Sequence, residues 1–172
     1  MKLKMFGKKS VSSVLFYCTR IATYGYIVFL LFIVISLLTN NFIIINENEF
    51  QIEIPFTDSI LKGDYDASTF MAIICFFIFY SVFFFLLSLI FKTFSGEKLF
   101  TEIAIKYLRW FTILNFILPG LYIIVGFLIQ YKIDLEDIIS GLLHIGLAIF
   151  AGFIATIFKM GFTLQEENEL TI

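Results

Sequence analysis

FMAIICFFIFYSVFFFLLSLIF, residues 70–91, holds no charged side chain, and its length decides how it folds. Its Phe and Ile content favours strand by propensity alone. A helix of about 20 residues, however, crosses the roughly 30 Å of hydrocarbon in a bilayer, and it bonds every backbone group within its own segment. Length overrules propensity, and the stretch reads as a transmembrane helix. Three further apolar runs of similar length flank it, giving expected spans at about 14–38, 70–91, 108–129 and 138–160. The composition agrees: 60% of the 172 residues are hydrophobic, 24 are Phe, and the mean hydropathy is +0.96, where soluble chains are about half apolar.

The distribution of charge sets the expected direction. With a cytoplasmic N-terminus, Lys2, Lys4, Lys8, Lys9, Arg20, Lys92, Lys98, Lys106, Arg109 and Lys159 all lie inside, leaving only Lys62 and Lys132 outside. That asymmetry obeys the positive-inside rule, and four spans return the C-terminus to the cytoplasm. The expected location is therefore the cell membrane, multi-pass, with both termini cytoplasmic. The first span has a basic start but too long an apolar run, and a poor small-residue cleavage site at Leu37-Leu38-Thr39-Asn40, so it reads as retained. A net charge of −2 without a basic face argues against direct nucleic-acid binding.

In the outer loop, 39–69, Phe50, Ile52, Ile54 and Phe56 alternate with polar residues or proline, the period of a half-buried strand. The run 42–45 is β-prone, and Asn46-Glu47-Asn48 between them reads as a turn. A small β-hairpin lying on the outer helix ends is expected, more a lid than a binding surface. Lys62-Gly63-Asp64-Tyr65-Asp66 reads as a solvated turn. In the inner loop, 92–107, Lys98, Glu102 and Lys106 recur every four residues opposite Leu99, Phe100, Ile103 and Tyr107, which predicts a short amphipathic helix on the inner leaflet. The tail, 161–172, is acidic, extends the fourth helix, and is kept off an anionic leaflet by its charge.

Polar groups within spans are functional candidates. Asn115 and Pro119 interrupt the third span, and His144 lies about two turns into the fourth. Such a His senses pH or, more commonly, stays neutral and hydrogen-bonds a neighbouring helix. Gly141, Ala148, Gly152 and Ala155 form a small-residue stripe suited to close packing. Cys18 and Cys75 read as two small buried hydrophobes. With one His, two isolated Cys and no paired carboxylates in the spans, the sequence supplies no catalytic, metal or cofactor constellation, and an enzyme is not expected.

The run from Phe158 to Ile172, FKMGFTLQEENELTI, resembles the ending of a bacterial family of small four-helix membrane proteins catalogued as domain of unknown function 2975. Members end in a Phe–basic–x–Gly turn, a Leu-Gln-Glu-Glu-Asn-like stretch and Leu-Thr-aliphatic. Gly96, Phe100, Thr101, Glu102, Leu108 and Arg109 fit a second family marker, with Ile103 standing where members often carry Asn. The resemblance implies a regulatory membrane component and supplies no enzyme activity and no cofactor. It also implies a small cytoplasmic helix-turn-helix regulator as partner beside the bilayer.

The sequence thus predicts an all-α transmembrane protein: a single integral domain, a four-helix bundle with a small extracytoplasmic β-hairpin and a short cytoplasmic amphipathic helix. Its expected function is regulatory or sensory, with Gly96, Phe100, Thr101, Glu102, Arg109, Gln165, Glu166, Glu167, Asn168 and Glu169 as candidate partner-binding residues. The alternative is a small transporter or an immunity-type protein against membrane-active compounds, acting through the outer hairpin and the region of Asn115, Pro119 and His144.

Overall fold

The computed structural model describes residues 4–45, 48–128 and 134–170. Of the expected features, Lys2, residues Asn46 and Glu47 of the first outer turn, the last residue of the third span, Lys132, and the last two residues of the tail lie outside these. Four helices run α1 Val11–Leu38, α2 Ala67–Phe94, α3 Glu102–Leu128 and α4 Leu135–Leu170, with strands β1 Ile43–Ile45, β2 Glu49–Glu53 and β3 Ile60–Asp64 between the first two. Each helix is long and apolar enough to cross a membrane, and each leaves large apolar side chains uncovered, among them Ile21, Val28, Met71, Ile124, Leu143 and Phe153. Lipid is the solvent that suits such surfaces, and the chain is a multi-pass membrane protein. Cys18 and Cys75 are exposed free thiols, not buried as expected. A helix in lipid presents small apolar residues on its uncovered face as readily as on its packed one.

The chain forms two compact units, Ala22–Val82 and Met1–Ile21 with Phe83–Ile172. In the first, the expected hairpin is a three-stranded antiparallel sheet of order β1-β2-β3. Ile44 pairs with Phe50, and Phe50 in turn with Gly63. Phe50 and Ile52 are 1% and 2% exposed while Glu49 and Glu53 face out, as foreseen for these two. Ile54 and Phe56, however, lie beyond the end of β2 and Phe56 is fully exposed, which corrects the expected run. Burial of each of the Phe50 and Ile52 side chains contributes about 1.5–3 kcal/mol. Lys62, Gly63 and Asp64 belong to β3 and not to a turn, which corrects the sequence reading. The missing side chain at Gly63 is what admits them: a Cβ there would stand 2.9 Å from both the Phe50 ring and the Thr69 methyl. The Phe50 ring also packs on Phe70 at 4.6 Å between centroids, within a cluster completed by Phe42 and Tyr65. Asp66 caps α2, its carboxylate accepting from the Thr69 amide at 2.6 Å and the Ser68 hydroxyl at 2.9 Å.

In the second unit α3 and α4 pack antiparallel. Ala104, Leu108, Phe111 and Asn115 on α3, and His144, Ala148, Ala151, Ala155 and Phe158 on α4, are all buried. Their alternating spacings of four and three form the seam of a left-handed helix pair. Three alanines on α4 let the backbones approach, as the small-residue stripe implied. Gly152 faces Thr112, and Gly141 faces Pro119 and Ile123. α3 continues through Pro119 to Leu128.

The predicted amphipathic helix is not a separate element. Residues 95–101 are irregular, and helix begins at Glu102, capped by the Thr101 hydroxyl, which accepts from the Ala104 amide at 3.2 Å. Lys98 therefore shares no helix with Glu102 and Lys106. Nor is the stretch from Phe158 to Gly161 a turn, since α4 passes through it. At 36 residues α4 is about 54 Å long, so roughly 24 Å of it exceeds the hydrocarbon core.

Candidate functional site

At one end of the second unit three segments meet: the residues before α1, the α2–α3 loop and the far end of α4. The N-terminal segment reverses through Gly7, whose φ of +91° suits glycine, and the Gly7 amide donates to the Phe94 carbonyl at 3.0 Å, satisfying one of the last carbonyls of α2. Phe6 packs edge-on against Phe94, Phe94 against Phe158 at 5.1 Å, and Phe158 against Phe100 at 5.2 Å between ring centroids. This aromatic chain fixes the segment before α1, the loop and the end of α4 to one another at the same end of the unit.

Gly161 completes the joint. A Cβ there would sit 2.7 Å from the Phe100 ring, so the ring lies directly against the α4 backbone. Two ion pairs flank the aromatics, Lys8 to Glu97 at 2.8 Å and Lys98 to Glu169 at 3.0 Å. Both are largely exposed and contribute little to stability. The hydrogen bond from Lys98 nonetheless holds the Glu169 carboxyl below its usual range, helped by Gln165.

The residues singled out by sequence therefore divide by role. Gly96, Phe100 and Thr101 serve the fold, as a turn after α2, an aromatic packed on α4 and a helix cap. Glu102, Arg109 and Glu166 line an open groove of about 680 Å³ between the start of α3 and the end of α4. Gln165, Asn168 and Glu169 line a second groove beside Phe100. Glu166, Glu167 and Asn168 are exposed. Two stretches some sixty residues apart thus build one polar face. Sequence reasoning missed Lys106 and Lys159 as groove residues, although the level at which charge stops along α3 and α4 marks both.

Deeper in the same unit, Asn115 and His144 are 0% and 8% exposed. The Asn115 Nδ2 donates to the Phe111 carbonyl at 2.8 Å, which turns Oδ1 toward His144 Nδ1 at 2.7 Å. An amide oxygen only accepts, so Nδ1 carries the proton. The Phe83 ring meets the imidazole in a T-shaped contact, 5.6 Å between ring centroids. Pro119 lies one turn beyond Asn115 and faces Gly141, and none of the three lines either groove. Arg20 is held over the rings of Phe16 and Phe85 at 5.5 and 4.9 Å. Among the described residues no group of three His, Cys, Asp or Glu is placed to hold a metal ion.

A family model described as protein of unknown function (DUF2975) matches residues 51–172. No curated protein and no solved structure matches the chain.

Proposed function

The chain belongs to the DUF2975 family, and from that premise we propose that it is a regulatory or sensory membrane protein that holds a cytoplasmic partner on the face built by the α2–α3 loop and the end of α4. The observation that carries this reading is the convergence of loop and tail through Phe100, Gly161 and the Lys98–Glu169 pair. A tail merely solvated has no need of an aromatic joint to a distant loop. The basic residues of α1, α2, α3 and α4 favour a cytoplasmic position for that face, and the outer sheet then serves as a lid over the outer ends of α1 and α2. Glu166 and Glu167 project from a helix that outruns the membrane, which suits a partner with a basic surface such as a small helix-turn-helix regulator. Glu169 is already engaged by Lys98, so it contributes less to that contact than Glu166.

The experiment is co-purification from the detergent-solubilised chain, intact against Glu166→Lys/Glu167→Lys. The intact protein retains its partner at low salt and loses it as salt rises, and the reversed tail loses it throughout. Equal recovery of the same proteins by both forms overturns the reading. The transport or immunity alternative has less support, because Asn115 and His144 spend hydrogen-bonding capacity on each other.

A further inference from the structure

The groove between the start of α3 and the end of α4 is layered in charge along the helix axes. Glu102 and Glu166 stand at its outer rim, Lys106, Arg109 and Lys159 come next, and Trp110 with Ile113 lies beyond them. From Trp110 onward α3 is uncharged to its end, and α4 carries no carboxylate, lysine or arginine between Ile138 and Phe158. The three cations therefore lie at the level where both apolar runs stop, on either side of one open groove. That level is the headgroup boundary of a bilayer, and an exposed tryptophan there is the usual companion.

The described residues do not neutralise these cations. Among the described residues none of the three is within ion-pairing distance of a carboxylate, although Lys8 and Lys98 at the same end each have one. The acidic rim lies about 6 Å further out along α3, one turn from Lys106, and about 10 Å further out along α4 from Lys159. We infer that this groove binds the headgroup of an anionic phospholipid, its phosphate held by Lys106, Arg109 and Lys159 and an acyl chain running along Trp110 and Ile113. Arginine supplies a planar fork that grips two phosphate oxygens at once, and the lysines add point charge. The apolar lining beyond the cations favours a lipid over a free anion, which would leave that lining uncovered. The site does not depend on the docking reading and holds for whichever leaflet this end occupies.

The test is native mass spectrometry of the full chain in detergent, titrated with phosphatidylglycerol and with phosphatidylcholine of the same acyl chains. Wild type retains phosphatidylglycerol in strong preference. Lys106→Gln, Arg109→Gln and Lys159→Gln each weaken that retention about fivefold and leave phosphatidylcholine unchanged. Lys62→Gln, on the sheet, changes neither. Arg109→Lys keeps the charge and loses less than Arg109→Gln, which separates binding from misfolding. Equal retention of the two lipids overturns the inference, as does an equal effect from Lys62→Gln. Displacement of phosphatidylglycerol by millimolar inorganic phosphate overturns the lipid assignment in favour of a free-anion site.

Discussion

Replacing Gly161 by alanine sets a methyl carbon 2.7, 2.8 and 2.9 Å from Cδ1, Cε1 and Cγ of Phe100. Contact becomes ordinary near 3.4 Å, so the ring must retreat by about 0.7 Å, and it also packs edge-on against Phe158. Overpacking of this kind costs about 1–3 kcal/mol. Alanine also gains about 0.8–1.0 kcal/mol over glycine from helix propensity alone, so the informative comparison is with Gly146→Ala, in the same helix with nothing within 4 Å. Gly161→Ala should be the less stable of the two by about 1–3 kcal/mol, a few degrees in midpoint at roughly 2–4 °C per kcal/mol. The assay is thermal unfolding in detergent micelles. Placed in a Phe100→Ala background, Gly161→Ala loses its penalty, and the double-mutant cycle returns that coupling. Equal midpoints for the two glycine variants, or strict additivity with Phe100→Ala, would refute the claim that loop and tail are joined by this contact.

Asn115→Leu removes the acceptor facing His144 Nδ1 and should lower stability by about 0.6–1.7 kcal/mol, the range of interhelical hydrogen bonds in membranes. Asn115→Leu/His144→Leu, which removes both partners, should recover part of that loss in the same melting assay. The Asp66 carboxyl is held below its ordinary value by the Thr69 amide first and the Ser68 hydroxyl second. A depressed folded-state value means its contribution is fully present above the ordinary carboxylate range and is lost as pH falls through the lowered one. Melting between roughly pH 5 and pH 2 should therefore decline less steeply in Asp66→Asn, which still caps α2. Lys98→Ala should leave the midpoint unchanged within error, since the Lys98–Glu169 pair is exposed. A marked drop would mean that the pair, and not the aromatics, holds the tail.

The spans were legible because hydrocarbon thickness and backbone satisfaction leave so few alternatives, and β2 was legible because Phe50 and Ile52 alternate with charge. β3 was not. Lys62-Gly63-Asp64 has the composition of a turn, and it is a strand only because β2 pairs with it and the Phe50 ring needs the empty side of Gly63. The loop misled in the opposite sense. Lys98, Glu102 and Lys106 have helical spacing, but the Thr101 cap starts the helix after Lys98, and a local hydrogen bond outweighs an i, i+4 charge pattern worth a few tenths of a kcal/mol. Asn115 and His144 were each visible as polar residues in lipid, while their pairing depends on the α3–α4 register. Aligning the alternating four- and three-residue spacings of the two helices would have found it. The joint between Phe100 and Gly161 left no trace at all, because sixty residues separate the partners and one of them is the absence of a side chain.

The docking role proposed for the loop–tail face requires it to lie in the cytoplasm, and a single labelling measurement decides that. In a Cys18→Ser/Cys75→Ser background, Glu166→Cys on the α4 end and Asp58→Cys beside the sheet are each exposed in the folded chain, and cells carrying either are treated with a membrane-impermeant maleimide before and after permeabilisation. The account predicts labelling of Asp58→Cys in intact cells and of Glu166→Cys only after permeabilisation. Labelling of Glu166→Cys in intact cells would put the face outside and contradict the regulatory reading.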